Sequence, residues 1–288
     1  MMSSETFPST AAAPPATTEI RASSLPIYND CARRTAALEL LREEIVGAGF
    51  KLFKPRPGVG SAIGTAVDAG ATLLLKLKLM EVPALVAVKP YIEDAVTAAI
   101  QAFRSDIADG CEYDKITPTA NIAEKQIRCM VRLYYDQVWP AAEPESVQPE
   151  LRGDLHNGFE LVGHWDWRSV HAQLRDTKTG QRSWPVSAQL GAYVLLGRAN
   201  DVSIETAAVD FIERVPPDKP QPPVETIAFD VELARHQAVA TIRRVKRDII
   251  AFRETGDIEA IPANPFSQFC SNKHCPARGT EFCHSWVR

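Results

Sequence analysis

The 288-residue chain sets 32 Lys and Arg against 36 Asp and Glu, a formal charge of −4. A wholly basic nucleic-acid coat is therefore excluded, although a local basic strip is not. With 45% hydrophobic and 24% charged residues, the composition is that of a globular protein and excludes a mostly disordered chain.

At roughly 150 residues per domain the length allows one large domain or two modest ones. No uncharged apolar run approaches the ~18 residues of a membrane helix; the nearest, ATLLLKLKLM from Ala71, is broken by Lys76 and Lys78. The N-terminus lacks the basic and apolar regions of a secretory signal. A cytoplasmic protein is the expectation, with its six cysteines serving as metal ligands, catalytic groups or core residues.

Residues 1–23 are rich in Ser, Thr, Ala and Pro, bury little, and are expected to form a flexible tail. From Tyr28 the pattern turns helical, with Leu38, Leu41 and Ile45 in register and Gly47 and Gly49 near the stop. KPRPGVG, Lys54 to Gly60, reads as a loop. Helices are predicted over about 61–80, 88–106 and 120–138, with breaks at Pro83 and at Asp109-Gly110. Short alternating runs begin near 144, and turns at Gly153-Asp154, Asn157-Gly158 and Thr179-Gly180 predict antiparallel hairpins. A helix over about 186–198, a strand within VSIETAAVDFIERV and a stiff linker at Pro216–Pro223 follow. The last long helix, about 228–254, carries Ile242, Val245, Ile249 and Phe252 on one face.

The stretch with most chemistry is GHWDW, Gly163 to Trp167, followed by LRDTKTG, Leu174 to Gly180. Paired as a hairpin, the two strands set Asp166 beside Asp176, and Lys178 shares a face with Asp176 because strand side chains alternate. Two carboxylates and an ammonium at one sheet edge suit Mg²⁺ or Mn²⁺ and a phosphodiester. The cation polarises the phosphoryl group, while Lys178 orients the attacking water or neutralises developing charge. The bland alternative is an exposed salt-bridged strand. Gln189 and Tyr193, four apart in SAQLGAYVLL, share a helix face.

This order resembles the PD-(D/E)XK nuclease superfamily, and within it the RecB-like exonucleases: a G-x-x-D strand, a D-x-K-T strand, then a helix carrying Q-x-x-x-Y. The resemblance spans roughly residues 24–288. It implies an α/β, restriction-endonuclease-like mixed sheet flanked by helices in a single domain, with a helical insertion near 80–140. It further implies DNA hydrolysis, with Asp166 and Asp176 on the metal, Lys178 assisting, Gln189 facing the site or the DNA, and Tyr193 supporting it. Where family members carry G-x-x-x-H, this chain has Gly64 to Asp68, so Asp68 either serves as a further ligand or is a plain helix charge. A structure-selective endonuclease on the same fold and an impaired DNA-binding protein are the alternatives. A recombinase or single-strand annealing partner is permitted by the resemblance. No phosphate-binding G-x-x-x-x-G-K-[ST] loop is present.

The tail over 264–288 places Cys270, Cys275 and Cys283 in a C-x4-C-x7-C spacing, and a fourth ligand must come from His274, His284, Cys31, Cys111 or Cys129. RecB-like nucleases of the AddB and CRISPR-associated types resemble this arrangement, holding a 4Fe–4S cluster with one N-terminal and three C-terminal cysteines. The resemblance makes Cys31 the fourth ligand and the cluster a staple between the two ends of the chain. Structural Zn²⁺ with His274 or His284 is the competing reading. Cys111 and Cys129 are expected in helices as core residues.

From Arg235 to Arg253 six basic residues meet one acid. Arg243, Arg244, Lys246 and Arg247 form either a solvated helix face or a phosphate-tracking surface. Trp165, Trp167 and Trp184 flank the strand motif as core residues or as a stacking platform for a base.

Overall fold

The computed structural model describes residues 17–80, 89–180 and 186–283. The expected break at Pro83, Trp184 and His284 lie outside them. Strand β1 (Thr18–Arg21) is followed by helices α1 (Ser24–Asp30), α2 (Ala32–Thr35) and α3 (Arg42–Gly47), with a π-helical turn at Ala36–Leu40. The expected flexibility of 1–23 thus fails at its end. Ile20 is fully buried, and β1 pairs in parallel with a later strand, Thr18 opposite Phe159.

Helices α4 (Val59–Leu79), α5 (Lys89–Asp106) and α6 (Ala120–Gln137) match the predicted helices to within two residues. Their mutual face is one apolar core in which Ile63 and Val67 meet Ala99, Phe103, Ile127 and Met130. Small residues bring the axes close: a Cβ on Gly70 would lie 3.1 Å from the Ala95 carbonyl oxygen.

The strands β2 (Pro144–Val147), β3 (Leu151–Asp154), β4 (Phe159–Gly163), β5 (Trp167–Ser169), β6 (Gln173–Gly180), β7 (Thr206–Glu213) and β8 (Glu225–Phe229) divide between two mixed sheets, where one was expected. One sheet runs β1-β4-β3 and the other β2-β5-β6-β7-β8. The split falls at His164–Asp166, where the chain leaves β4 and bends into β5. Asn157-Gly158 turns the chain at positive φ, 56° and 76°, whereas Gly153-Asp154 closes β3 and is no turn. Parallel pairing of β6 with β7 needs a crossover, which α7 (Ser187–Ala199) supplies.

Helix α8 (Val231–Thr255) starts at Asp230, whose carboxylate accepts from the Leu233 N–H at 2.8 Å, and stops at Gly256 with φ 68°. It crosses α7 at Gly191, where any Cβ would collide with the Ala234 carbonyl. Ile242, Val245, Ile249 and Phe252 are buried as the spacing predicts. The five-stranded sheet lies between two cores. Leu174, Ala207 and Val209 face α7 and α8, and Trp167 and Ile212 face α4 and α6. Trp165 and Trp167 are 1% and 3% exposed, which removes both as stacking platforms. Among the described residues no helix is long and apolar enough to cross a membrane.

Candidate active site and cysteine cavity

An open cleft of about 1040 Å³ lies where α4, α7 and the ends of β4 and β6 meet. Asp68, Asp166, Lys178, Gln189 and Tyr193 all line it. Beneath them Asp176 is fully buried. β5 and β6 pair antiparallel, Trp167 opposite Arg175 and Arg168 opposite Leu174; one further step of that register sets Asp166 across from Asp176. Asp166 itself stands in the bend ahead of β5 and not on a strand with Gly163, as the hairpin reading required.

Each carboxylate is held by a different partner. Lys178 Nζ forms an ion pair with Asp176 Oδ2 at 2.7 Å, and neither Asp176 oxygen has a well-directed hydrogen-bond donor among the described residues. Asp166 Oδ2 accepts from the Thr177 N–H at 2.5 Å. Asp68 Oδ2 accepts from Gln148 Nε2 at 2.8 Å. Burial and the charge of Asp176 push Asp166 well above the usual carboxylate range. Burial also raises Asp68, against the Gln148 hydrogen bond. Burial alone would lower Lys178, but Asp176 and Asp166 outweigh it and hold the ammonium above the usual lysine range.

Glycines set these distances. A Cβ on Gly64 would lie 3.1 Å from Thr179 Oγ1, so its absence lets α4 approach the end of β6 and carry Asp68 to the acids. A Cβ on Gly163 would sit 3.3 Å from Tyr193 Cε1. Gln189 Nε2 donates to the Tyr193 hydroxyl at 2.7 Å, so this pair braces the wall of the cleft.

Gln148 was not singled out by the sequence. Its φ of 46° is unusual for a residue with a side chain. The conformation lets its N–H donate to the Asp166 carbonyl at 3.0 Å while its amide holds Asp68. No local pattern in VQPE signals that role.

Arg243, Arg244, Lys246 and Arg247 do not line the cleft. Arg244 donates to the Tyr28 carbonyl at 2.9 Å, Arg247 pairs with Asp248 at 2.7 Å, and Lys246 bonds to the carbonyls of Leu155 and His156. Arg243 borders an apolar groove between α8 and β3.

A second, small cavity is lined by Cys31, Cys270, Cys275 and Cys283 together. The ends of the chain already meet there. Asn264 Nδ2 donates to the Asp30 carbonyl at 2.9 Å, and Arg33 donates to the carbonyls of Ile258 and Ile261, both at 2.9 Å. The Asn264 N–H points at Cys31 Sγ, 3.4 Å away. Burial pushes the Cys275 thiol up to about 11. His274 does not line the cavity; its ring packs against Phe269. Cys129 lies on α6 but is exposed, and Cys111 sits in a loop, half-buried, so neither is the helical core residue expected. Among the described residues no three His, Cys, Asp or Glu side chains are gathered tightly enough to enclose a metal ion, either here or in the cleft.

No known family profile matches the chain, and no curated protein matches it in sequence. The fold is shared with a candidate exonuclease from Eubacterium rectale, at TM-score 0.53 and 13% identity over 80% of each chain. An alkaline exonuclease from Laribacter hongkongensis aligns at TM-score 0.30 and 11% identity, over 67% of this chain and 96% of that one. The same exonuclease in complex with dAMP aligns at TM-score 0.28 and 12% identity, over 67% and 96%. The first likeness shows a shared fold, which in this chain is two mixed sheets flanked by helices.

Proposed function

We propose that the chain is a metal-dependent DNA nuclease, an exonuclease acting on DNA ends in recombination, repair or phage DNA metabolism. The observation that carries this reading is the fully buried Asp176 carboxylate, bonded to Lys178 and facing Asp166 and Asp68 at the floor of an open polar cleft. Three acids against one ammonium make a costly way to pack a core. Oxygen donors of this kind suit Mg²⁺ or Mn²⁺, and Asp176 Oδ1 is a buried acceptor with no donor of its own. Such a cation, when bound, polarises a phosphodiester and acidifies a coordinated water.

Asp166 and Asp176, joined by Asp68, hold the cation in this reading. Lys178, kept protonated by its carboxylate neighbours, offsets the charge that develops on the phosphate; a protonated amine is no base. Gln189 and Tyr193 keep the wall in place for the strand. Cys31, Cys270, Cys275 and Cys283 hold a 4Fe–4S cluster. Structural Zn²⁺ on the same four thiolates, which line one small cavity, is the competing reading.

End-labelled linear single- and double-stranded DNA, incubated with Mg²⁺ or Mn²⁺ and separately with EDTA, tests the reading. Short products released from the labelled end, and none with EDTA, are expected. Discrete internal fragments would replace the exonuclease by an endonuclease. DNA that is bound but stays intact under every condition would overturn catalysis altogether.

A further inference from the structure

Arg33 and Arg34 are adjacent in sequence and both almost fully buried, at 2% and 4% exposure. Their hydrogen-bond partners differ. Arg33 is spent on the two tail carbonyls and reaches Glu259 at 3.1 Å. Both side chains border the cysteine cavity, but Arg34 does so without such partners. Its Nε and Nη1 find no hydrogen-bond acceptor among the described residues. Its ion-pair contact is Asp30, 3.4 Å away, and that Asp30 oxygen already accepts from Ser267 at 2.6 Å. The Phe269 ring fixes the guanidinium plane, 4.6 Å from the centroid. A guanidinium stays charged under all ordinary conditions, and burying one with its donors unmet is strongly unfavourable unless an anion arrives.

We propose that Arg34 is the counter-charge for an anionic, four-thiolate group in this cavity, and so a positioning residue that sets how strongly the group is held and how readily it is reduced. The inference rests on the cluster reading above. Four thiolates around a four-iron core, or around one zinc ion, leave a net negative charge; of the two guanidiniums in the cavity wall, Arg33 is taken up by Glu259 and the tail carbonyls, which leaves Arg34 to offset it. Sulfur accepts N–H donors, and the Asn264 N–H already points at Cys31. Hydrogen bonds to cluster sulfurs and nearby charge raise the reduction potential. Arg34 therefore favours the reduced form, and the N-terminal helix carries a tuning residue as well as a ligand.

The test is anaerobic reconstitution of the full chain with Fe²⁺ and sulfide, or with Zn²⁺ alone, comparing wild type, Arg34→Gln and Arg34→Lys. Iron, sulfide and zinc content, visible absorbance, midpoint potential and rate of metal loss to a chelator are read out. For iron-loaded protein, Arg34→Gln is expected to shift the oxidised-to-reduced ratio about tenfold toward oxidised, roughly 59 mV for one electron, and to speed metal loss. Arg34→Lys, which keeps the charge, is expected to recover most of the potential and remains measurable if Arg34→Gln fails to fold. For zinc-loaded protein the expected effect is faster loss in Arg34→Gln alone. Equal potentials and equal loss rates across all three proteins would overturn the role of Arg34. A wild type that takes up neither iron with sulfide nor zinc would overturn the cluster reading itself, a result separate from the first.

Discussion

The acidic cleft and the cysteine cavity are opposite halves of the same electrostatic problem. At the floor of the cleft Asp68, Asp166 and Asp176 gather round one ammonium, Lys178, so negative charge is locally in excess, while Arg21 and Arg152 stand elsewhere on its wall. In the cavity Arg34 lies buried beside four thiols, with Nε and Nη1 free of hydrogen bonds and only the shared Asp30 oxygen, 3.4 Å away, as its ion-pair contact. Each imbalance calls for a ligand of the other sign, a hard cation in the first and an anionic thiolate-bound group in the second. They differ equally in assembly. The cleft is built from the middle of the chain, on α4, the bend before β5, β6 and α7, and is open to a long substrate. The cavity joins the residues around Cys31 to the tail and is small. In the proposed reading, chemistry and retention of the fold are thereby separated.

Substitutions can break that separation. The largest effect is expected at Lys178: Lys178→Ala removes the ammonium beside the three aspartates and leaves Asp176 buried without its ion-pair partner. Single-turnover cleavage is expected to fall on the order of 10²–10³-fold, with the cysteine-bound group and its absorbance unchanged. Cys31→Ser is expected to act on the other region. Joining residue 31 to the tail closes a loop of over 230 residues, which by chain-entropy reasoning stabilises by about 5 kcal/mol at most. Thermal unfolding of the reconstituted variant is expected to move down by several degrees, while cleavage measured well below the transition persists.

Gln148→Ala sharpens the geometry inside the cleft. It removes the amide that holds Asp68, a bond worth roughly 1–1.5 kcal/mol. Cleavage at limiting Mn²⁺ is expected to drop about tenfold and to recover at higher metal concentration. The smallest effect is expected on α8. Because Arg243 and Arg247 do not border the cleft, replacing both by Ala is expected to change cleavage by less than about twofold and to leave its salt dependence nearly intact. A steep loss would show that DNA runs across α8.

The helices were legible because long apolar periodicity survives tertiary context, and α4 through α8 fall where the spacing puts them. β1 and β8 were not. TEIR follows a stretch typical of disorder, and ETIAF follows PPDKPQPP, so both short strands exist only because β4 and β7 offer an edge to pair with. The acid pair was legible in register but not in placement, since alternation in GHWDW hides the bend that moves the chain from one sheet to the other. Asp68 was legible only as a position; the close approach at Gly64 is what makes it useful. Gln148 depends on a single backbone angle. Arg34, in the run ARRT, reads as a surface charge until the tail folds over it.

Binding of Mn²⁺ to metal-stripped protein in the absence of DNA, followed by calorimetry in wild type and in Asp176→Asn, tests the acid cleft most directly. Saturable binding to the wild type, lost or weakened at least tenfold in Asp176→Asn with the fold intact by circular dichroism, is the predicted result. Equal binding by the two proteins, or none by either, would contradict the cleft as a cation site.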